Sequence, residues 1–338
     1  MKQNNFPAVL AHLDLAPELY YRHLMGEKNI LKNYYLEEFR QAGVKIIVSS
    51  LYIEEKFLPE QSLKMALLYW DALQREIVTV QDQVVFVTSK EMLQKVMKEN
   101  KIGILLSFEG AEPLEENILL LNAFYKLGVR GLGLTWSRAN NFATGCCRGS
   151  ENKDVKGEIT SLGKELIWMA EDLGMWIDVS HLNDDGFTQL LDIAKKPFMA
   201  SHSNARDICF NYRNLSDSHL KEFGKRGGVI GVNGYSKMIG KNVKSGEEGV
   251  IALCRHIGHI IEMAGPDCVG LGLDLCGRYY EAVRKMENSP EIYDGDILTD
   301  HREIINIPEV LLEIGLKKKH VRKVIGDNLV KYFTGILK

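Results

Sequence analysis

Eight short apolar runs, separated by stretches with helical periodicity, limit the fold of this chain more than any other feature of its sequence. They cover residues 8–14, 44–53, 102–110, 129–136, 175–182, 197–203, 228–235 and 268–275. Most of them follow Gly, Pro or another helix-ending signal and are rich in Val, Ile and Leu, which is typical of strands buried on both faces of a parallel sheet. Eight such strands separated by helices predict a closed barrel rather than an open sheet.

Apolar residues at helical spacing predict helices over residues 61–77, 161–173 and 248–264, and two more near 307–315 and 318–336. The sequence therefore predicts a single α/β domain over residues 1–338, a (β/α)8 TIM barrel with C-terminal helices. The connections 137–159 and 276–300 each follow a strand, so we expect both to be irregular and to lie on the catalytic face.

Ionisable or metal-binding side chains stand at the carboxyl end of five of the eight runs: His12, Asp14, Glu109, His181, His202 and Asp274. Singly, each has an ordinary structural explanation, such as a helix cap or a hydrogen-bonded core histidine. Together they meet at one end of the barrel, where three carboxylates repel one another unless a divalent cation binds. Imidazole and carboxylate ligands suit zinc, so the sequence predicts a metal site. Period-two alternation places His12 and Asp14 on one face, and Asp178 on the face opposite His181, where we expect a structural role.

Charge and hydropathy exclude two classes of partner. The formal net charge is -3 and no long basic run exists, so we expect no nucleic acid and no anionic membrane surface as a partner. No apolar stretch approaches the ~18 residues of a membrane span. The N-terminus lacks the apolar segment of a signal peptide, so we expect a cytoplasmic protein.

Several segments, in order along nearly the whole chain, resemble the renal or membrane dipeptidase family of zinc peptidases, within the amidohydrolase superfamily. They are AHLDL (11–15), SFEGAEPL (107–114), WIDVSHL (176–182), MASHSNAR (199–206), YRNLSD (212–217), GGVIGVNGY (227–235), AGPDCVGLGLDLCG (264–277) and GDNLVKYF (326–333). The resemblance implies two Zn²⁺ ions per chain, with His12 and Asp14 on one, His181 and His202 on the other, and Glu109 bridging them.

The same resemblance implies the remaining roles. Asp274 would exchange protons with a water shared by the two ions, which attacks the peptide carbonyl. Arg213 lies in the segment that resembles the family's carboxylate-binding motif, and Tyr235 is a weaker candidate for the same pocket. An alternative for Arg213 is an ion pair with Asp207 or Asp217.

The sequence departs from the family pattern at three places. Trp136 stands where the family usually has a histidine near the reacting carbonyl, and its indole N–H donates a hydrogen bond but takes up no proton. Cys276 replaces the second aspartate of the segment after the last strand. Leu10 replaces an acidic residue two positions before His12, which removes one group that would support the metal ligands.

Three functions follow as hypotheses. The leading one is zinc-dependent hydrolysis of dipeptides with a free C-terminal carboxylate, with tolerance for D-residues in the second position. The second is another amide or ester hydrolysis at the same metals, such as opening a lactam or lactone, which Trp136 and the altered segment after Asp274 motivate. The third is a non-catalytic binding protein, against which the complete ligand set argues. The expected partners are a dipeptide and a second copy of the chain in a homodimer.

Overall fold

A computed structural model describes residues 6–146, 152–290 and 292–338. Nine parallel strands run through this part of the chain: β1 (Ala8–Leu13), β2 (Val44–Tyr52), β3 (Val84–Phe86), β4 (Ile102–Glu109), β5 (Val129–Gly133), β6 (Trp176–Asp178), β7 (Met199–Ala200), β8 (Val229–Val232) and β9 (Val269–Leu271). Their buried positions are filled by apolar side chains throughout, as expected of strands covered on both faces.

Pairing between β2 and β4 closes the sheet into a barrel. The order β2-β1-β9-β8-β7-β6-β5-β4 returns to β2 through seven residue pairs, from Ile46 with Gly103 to Tyr52 with Glu109. β3 pairs with the first residues of β4, from Ile102 to Ile104. Along the same edge of β4, β5 forms the pairing from Leu106 onward. The eight-stranded (β/α)8 barrel predicted from the sequence is therefore confirmed.

Helices follow the strands around the barrel. In the described residues they are α1 (Leu15–Leu24), α2 (Leu36–Ala42), α3 (Ser62–Thr79), α4 (Lys90–Val96), α5 (Leu120–Lys126), α6 (Ser161–Leu173), α7 (Asp184–Ile193), α8 (Asp217–Arg226), α9 (Ser236–Ile239), α10 (Glu247–Ala264), α11 (Gly277–Glu287), α12 (Ile307–Glu313), α13 (Lys318–Arg322) and α14 (Asn328–Ile336). Single 3₁₀ turns form at Glu55–Phe57 and Glu112–Leu114, a longer one at His301–Asn306, and π-helical turns at Leu31–Tyr35 and Lys323–Asp327.

One of the two connections predicted to be irregular is not. Residues 276–300 contain the eleven-residue helix α11, which buries Tyr279 and Ala282 on one face. The other connection, 137–159, is irregular where it is described, and its residues 147–151 lie outside the described part of the chain. The single domain over 1–338 stays a prediction.

The C-terminal helix α14 packs against the first residues of several strands. Its Leu329 and Phe333 share an apolar cluster with Val9, Met199 and Val229, and the Phe333 ring lies 4.8 Å from that of Trp176. This packing covers the amino-terminal ends of these strands, and leaves the carboxyl end for a site. No helix in the described ranges is both long enough and apolar enough to cross a membrane.

Candidate active site

Six side chains predicted at strand ends come together at the carboxyl end of the barrel. His12 lies in β1 with Asp14 directly after it, and Glu109 is the last residue of β4. His181, His202 and Asp274 lie two or three residues beyond the ends of β6, β7 and β9, in loops rather than in the strands themselves. All six are nine-tenths buried or nearly so.

Glu109 lies at the centre of this cluster. Its Oε1 is 2.8 Å from Nε2 of His181 and 3.6 Å from Nε2 of His202. Its Oε2 is 3.3 Å from Nε2 of His12, and that nitrogen is 3.7 Å from Asp14 and 3.8 Å from Asp274. The carboxylate of Glu109 thus stands between a His181–His202 pair on one side and His12, Asp14 and Asp274 on the other.

Serine hydroxyls fix the orientation of the imidazole rings. Ser137 Oγ is 2.8 Å from Nδ1 of His181, and Ser201 Oγ is 2.7 Å from Nδ1 of His202 and 3.5 Å from Nδ1 of His12. Each ring therefore turns its Nε2 toward the cluster. This is the arrangement that metal-binding histidines adopt when the other ring nitrogen is held by the protein.

Asp178 supports these histidines, contrary to the expectation that it faces away from them. Its Oδ1 accepts the backbone N–H groups of Ser180 and Ser201 at 3.0 and 2.9 Å. Its Oδ2 accepts the hydroxyl of Ser201, which in turn contacts His202. The alternation argument fails because β6 ends at Asp178 itself, so strand geometry does not extend to His181.

Burial moves the pKa values of several groups in the cluster away from their usual ranges. Desolvation raises the pKa of Glu109 to about 8 and that of Asp274 to about 6, against the opposing charge of His12. Desolvation, with the charge of Arg213 adding to it, holds the pKa of His181 well below its usual range. Burial also opposes the charged forms of Asp14 and His12, but the contact between them, with the charge of Glu109 on His12, lowers the pKa of Asp14 and raises that of His12. Without a cation, Glu109 is therefore the carboxyl group of this cluster that retains a proton at neutral pH.

Two buried polar atoms bear on whether this cluster suits a metal ion. Nε2 of His12 and Oε2 of Glu109 are inaccessible to solvent and have no hydrogen-bond partner among the described residues. An unsatisfied buried polar atom is costly. The donor atoms of His12, Glu109 and His202 lie within 4.8 Å of one another, as do those of His12, Asp14 and Asp274. The two groups share His12 and so lie side by side, and imidazole nitrogens and carboxylate oxygens are the donors that divalent ions such as zinc accept.

Arg213 borders the cluster without a carboxylate partner. Its guanidinium is buried, 3.2 Å from Nε2 of His181, and donates to the carbonyl oxygen of His202 at 3.3 Å. Of its two alternative partners, Asp217 contacts His259 instead, and no ion pair to Arg213 occurs among the described residues. A cavity of about 470 Å³ opens on these groups, lined also by Tyr52, Trp136, Asn152, Asn211, Asn233, Tyr235, Lys237, Tyr280 and Tyr293.

The sequence and the fold were then compared with known proteins. The family model for the membrane dipeptidases, peptidase family M19, matches residues 3–336. This chain belongs to that family. Dipeptidase 3 of Mus musculus is 27% identical over 344 residues, covering 98% of this chain and 65% of the mouse protein. An uncharacterised dipeptidase of Schizosaccharomyces pombe is 30% identical, covering 81% of this chain and 68% of its own. An uncharacterised protein of Acinetobacter calcoaceticus is 32% identical over 181 residues. That match covers 53% of this chain and 58% of the relative's length.

Solved structures of family members share the fold. A metallopeptidase from Rhodobacter sphaeroides, liganded with a phosphinate mimic of the dipeptide L-Ala-D-Ala, superposes with a TM-score of 0.85 at 20% identity, covering 98% of this chain and 99% of that one. The structure of dipeptidase AC, a metallopeptidase of family M19, gives 0.84 at the same identity and coverage.

Two of the departures from the family pattern line the cavity. The Trp136 ring stacks on that of His181, with centroids 5.5 Å apart and planes at 28°. Cys276 contacts both carboxylates on its side of the cluster, with Sγ 3.1 Å from Asp274 and 3.7 Å from Asp14. The third departure, Leu10, is fully buried.

Sequence reasoning missed the hydroxyl and amide groups that hold the ligands. Ser50 donates to Asp14, and Asn233 donates to Oδ2 of Asp274 at 3.2 Å. Ser137 and Ser201 hold the imidazoles. Only Ser201 carried a usable signal, because it directly precedes His202 in the segment that resembles the family. Gly272 makes its placement possible: a Cβ there would lie 1.7 Å from the carbonyl oxygen of Ser201.

Proposed function

We propose that this chain is a zinc-dependent dipeptidase that hydrolyses dipeptides with a free C-terminal carboxylate. The observation that carries the proposal is the buried guanidinium of Arg213, which borders the histidine and carboxylate cluster and pairs with no carboxylate in residues 6–146, 152–290 and 292–338. A buried cation without a partner is costly, and the carboxylate of a short substrate would neutralise it in two-point geometry.

The cluster has the residues to hold two ions. His12 and Asp14 would bind one, His181 and His202 the other, and Glu109 would bridge them. When bound, the ions supply Lewis acidity, which polarises the substrate carbonyl and makes water more acidic. Loss of the retained protons from the cluster would accompany binding.

Asp274 would move the proton of the reaction. Burial raises the pKa of Asp274 to about 6, close to neutral pH, where a carboxyl group both accepts and donates a proton effectively. Asn233 and Cys276 each contact one of its oxygens and so hold the carboxyl group toward the cluster. In the proposed reaction Asp274 takes a proton from the attacking water and gives it to the leaving amine.

Arg213 and Tyr235 would bind the terminal carboxylate, and Trp136 would form a wall beside the reacting carbonyl. The structure of the Rhodobacter sphaeroides relative holds a mimic of L-Ala-D-Ala, so we propose that a D-residue is accepted in the second position. The homodimer and the cytoplasmic location stay predictions.

The deciding experiment compares a dipeptide with its C-terminal amide. Arg213→Met should lower kcat/KM for the acid by an amount that corresponds to about 2–5 kcal/mol of activation free energy, the cost of losing one partner of a buried charge pair. The same change should lower kcat/KM for the amide much less, because the amide has no carboxylate. Arg130→Met is the control, because Arg130 is also buried, donates to the backbone carbonyl oxygens of Thr88 and Tyr125, and does not line the cavity. It should leave the acid-to-amide ratio unchanged.

Equal losses of kcat/KM for the acid and the amide would mean that Arg213 does not recognise the C-terminal carboxylate. That result would favour the alternative, opening of a lactam or lactone at the same metals, for which the aromatic ring of Trp136 at the family's histidine position is the motive. A binding protein without activity would show no turnover of either class of substrate.

A further inference from the structure

Three tyrosine rings form a parallel stack on one wall of the cavity. The rings of Tyr280 and Tyr293 are 4.5 Å apart at 11°, and those of Tyr293 and Tyr235 are 6.1 Å apart, also at 11°. We call these three residues the tyrosine stack. Tyr280 is 43% exposed, so the end of the stack offers an open aromatic surface within the cavity.

Several contacts hold the tyrosine stack in place. The hydroxyl of Tyr293 donates to Asp296 at 3.0 Å, and Asp296 also accepts the backbone N–H groups of Cys276 and Gly277 at 3.1 and 2.8 Å. Gly295 is needed for the close approach of the rings, because a Cβ there would lie 2.4 Å from Tyr235 and 2.6 Å from Tyr293. The stack is thus tied to the start of α11 and to the segment that carries Asp274.

The contacts through the cluster set the direction of a bound dipeptide. The guanidinium of Arg213 lies 3.2 Å from His181, and His181 lies 2.8 Å from Glu109. Glu109 in turn lies 3.3 Å from His12. His12 is 3.8 Å from Asp274, which Cys276 contacts at 3.1 Å, directly before α11 and Tyr280. Arg213 therefore borders the cluster at His181, whereas Tyr280 lies on the side of Cys276, Asp14 and Asp274. With its carboxylate at Arg213 and its carbonyl over the cluster, a dipeptide directs its first residue toward Tyr280.

We propose that Tyr280, the outer ring of the tyrosine stack, binds the side chain of the substrate's first residue and selects a flat aromatic one. This inference rests on the proposed function, because the direction of the dipeptide depends on Arg213. Aromatic side chains pair favourably with offset-stacked rings, and the stack leaves an aromatic face open toward this end of the site. The second residue, on the side of Arg213, is not selected by these rings.

The test measures kcat/KM of the zinc-loaded enzyme for Phe-Ala, Gly-Ala, Lys-Ala and Ala-Phe. We expect Phe-Ala to exceed Gly-Ala by on the order of tenfold or more, the scale of discrimination by one well-packed side chain. Tyr280→Ala should lower kcat/KM for Phe-Ala by several-fold more than it lowers kcat/KM for Gly-Ala, and Tyr280→Phe, which keeps the ring, should retain the preference for Phe-Ala. Trp168→Ala, a change at an exposed aromatic residue of α6 outside the cavity, is the matched control and should change neither substrate.

The outcomes separate this inference from the proposed function. Hydrolysis of all four dipeptides without a preference for Phe-Ala, or a preference for Lys-Ala, overturns the inference and leaves the dipeptidase in place. An equal loss of kcat/KM for Phe-Ala and Gly-Ala in the Tyr280→Ala variant also overturns the inference and leaves the dipeptidase in place. No hydrolysis of any dipeptide by the zinc-loaded enzyme overturns the proposed function and the inference with it.

Discussion

Two buried ionic clusters lie close together in this molecule and differ in how their charges are balanced. The first is the active-site cluster around Glu109. The second, which we call the Arg22 network, joins α1, α2 and α11 through Glu18, Arg22, Glu38 and Arg278. Arg22 Nε donates to Glu18 at 2.6 Å, and Arg278 pairs with Glu38. Each buried carboxylate of the Arg22 network has a guanidinium within the chain.

The active-site cluster has no such balance. It holds three carboxylates, the imidazoles of three histidines and two buried atoms that find no hydrogen-bond partner in the described part of the chain. In the Arg22 network, burial opposes ionisation of Glu38, but the contacts with His301 and Arg278 outweigh it and lower the pKa to about 2. Burial of Glu109 is not outweighed, and its pKa rises to about 8. Burial raises the pKa of Glu18 as well, but a guanidinium of the chain faces each carboxylate of the Arg22 network. The cluster around Glu109 has no guanidinium paired with its carboxylates among the described residues, and this is why we propose that it takes up divalent ions.

The largest expected effect is on stability, from a change in the Arg22 network. Arg22→Met leaves the carboxylate of Glu18 buried without its partner and should lower the free energy of unfolding by about 3–5 kcal/mol. Glu109→Gln in the metal-free protein is the contrasting variant. Because the neutral form of Glu109 is already favoured near neutral pH, its amide should leave the unfolding midpoint unchanged or raise it. Denaturant unfolding of both variants measures this, and a clear loss of stability in Glu109→Gln would contradict the comparison.

The next effect is on catalysis alone. Asp274→Asn keeps the shape of the side chain but removes its ability to take up a proton, so kcat should fall by about 10²-fold or more. Zinc content should hold, because the four histidine and carboxylate ligands and the bridging Glu109 remain. Steady-state kinetics with metal analysis of the same sample provides both readings. A near-normal kcat would remove Asp274 from the proposed mechanism.

A smaller effect is expected from Asp178, which reaches the ring of His202 through the hydroxyl of Ser201 and its backbone N–H through the hydroxyl of Ser180. Asp178→Asn cannot accept the Ser201 hydroxyl in the same way, and zinc affinity should weaken about 10–100-fold. Ser201→Ala should weaken it by a similar factor, and the double variant should lose little more, because both changes remove one path. Zinc competition with a chelator measures the affinities. Fully additive losses would show that Asp178 acts by another route.

The barrel was predictable because its strands are continuous apolar runs with helices between them. The predicted helices 161–173 and 248–264 match α6 and α10 to within one residue. Helix α11 was missed because its exposed face carries aromatic and charged residues around a short buried stripe of Tyr279 and Ala282. The segment 318–336 was predicted as one helix, but a π-helical turn at Lys323–Asp327 divides it.

The candidate site was predictable in its ionisable residues and not in the groups that hold them. His181 and His202 follow apolar runs, so their convergence followed from the barrel. Ser137 was not predictable in role, because a serine in a loop carries no periodic signal and its partners are set by tertiary packing, whereas the position of Ser201 directly before His202 was the one usable signal. Asp178 was assigned to the wrong face because the apolar run 175–182 extends beyond the strand β6, which ends at Asp178. The alternation of side chains between the two faces of a strand therefore does not apply between Asp178 and His181.

The most direct test of the account is the metal content of the purified chain. Elemental analysis after purification with zinc should give close to two zinc ions per chain, and His181→Ala should lower that number while the far-ultraviolet circular dichroism is unchanged, because the barrel core does not depend on that loop. A value of one or none in the unaltered chain under the same conditions would contradict the claim that the cluster around Glu109 is built to hold two cations.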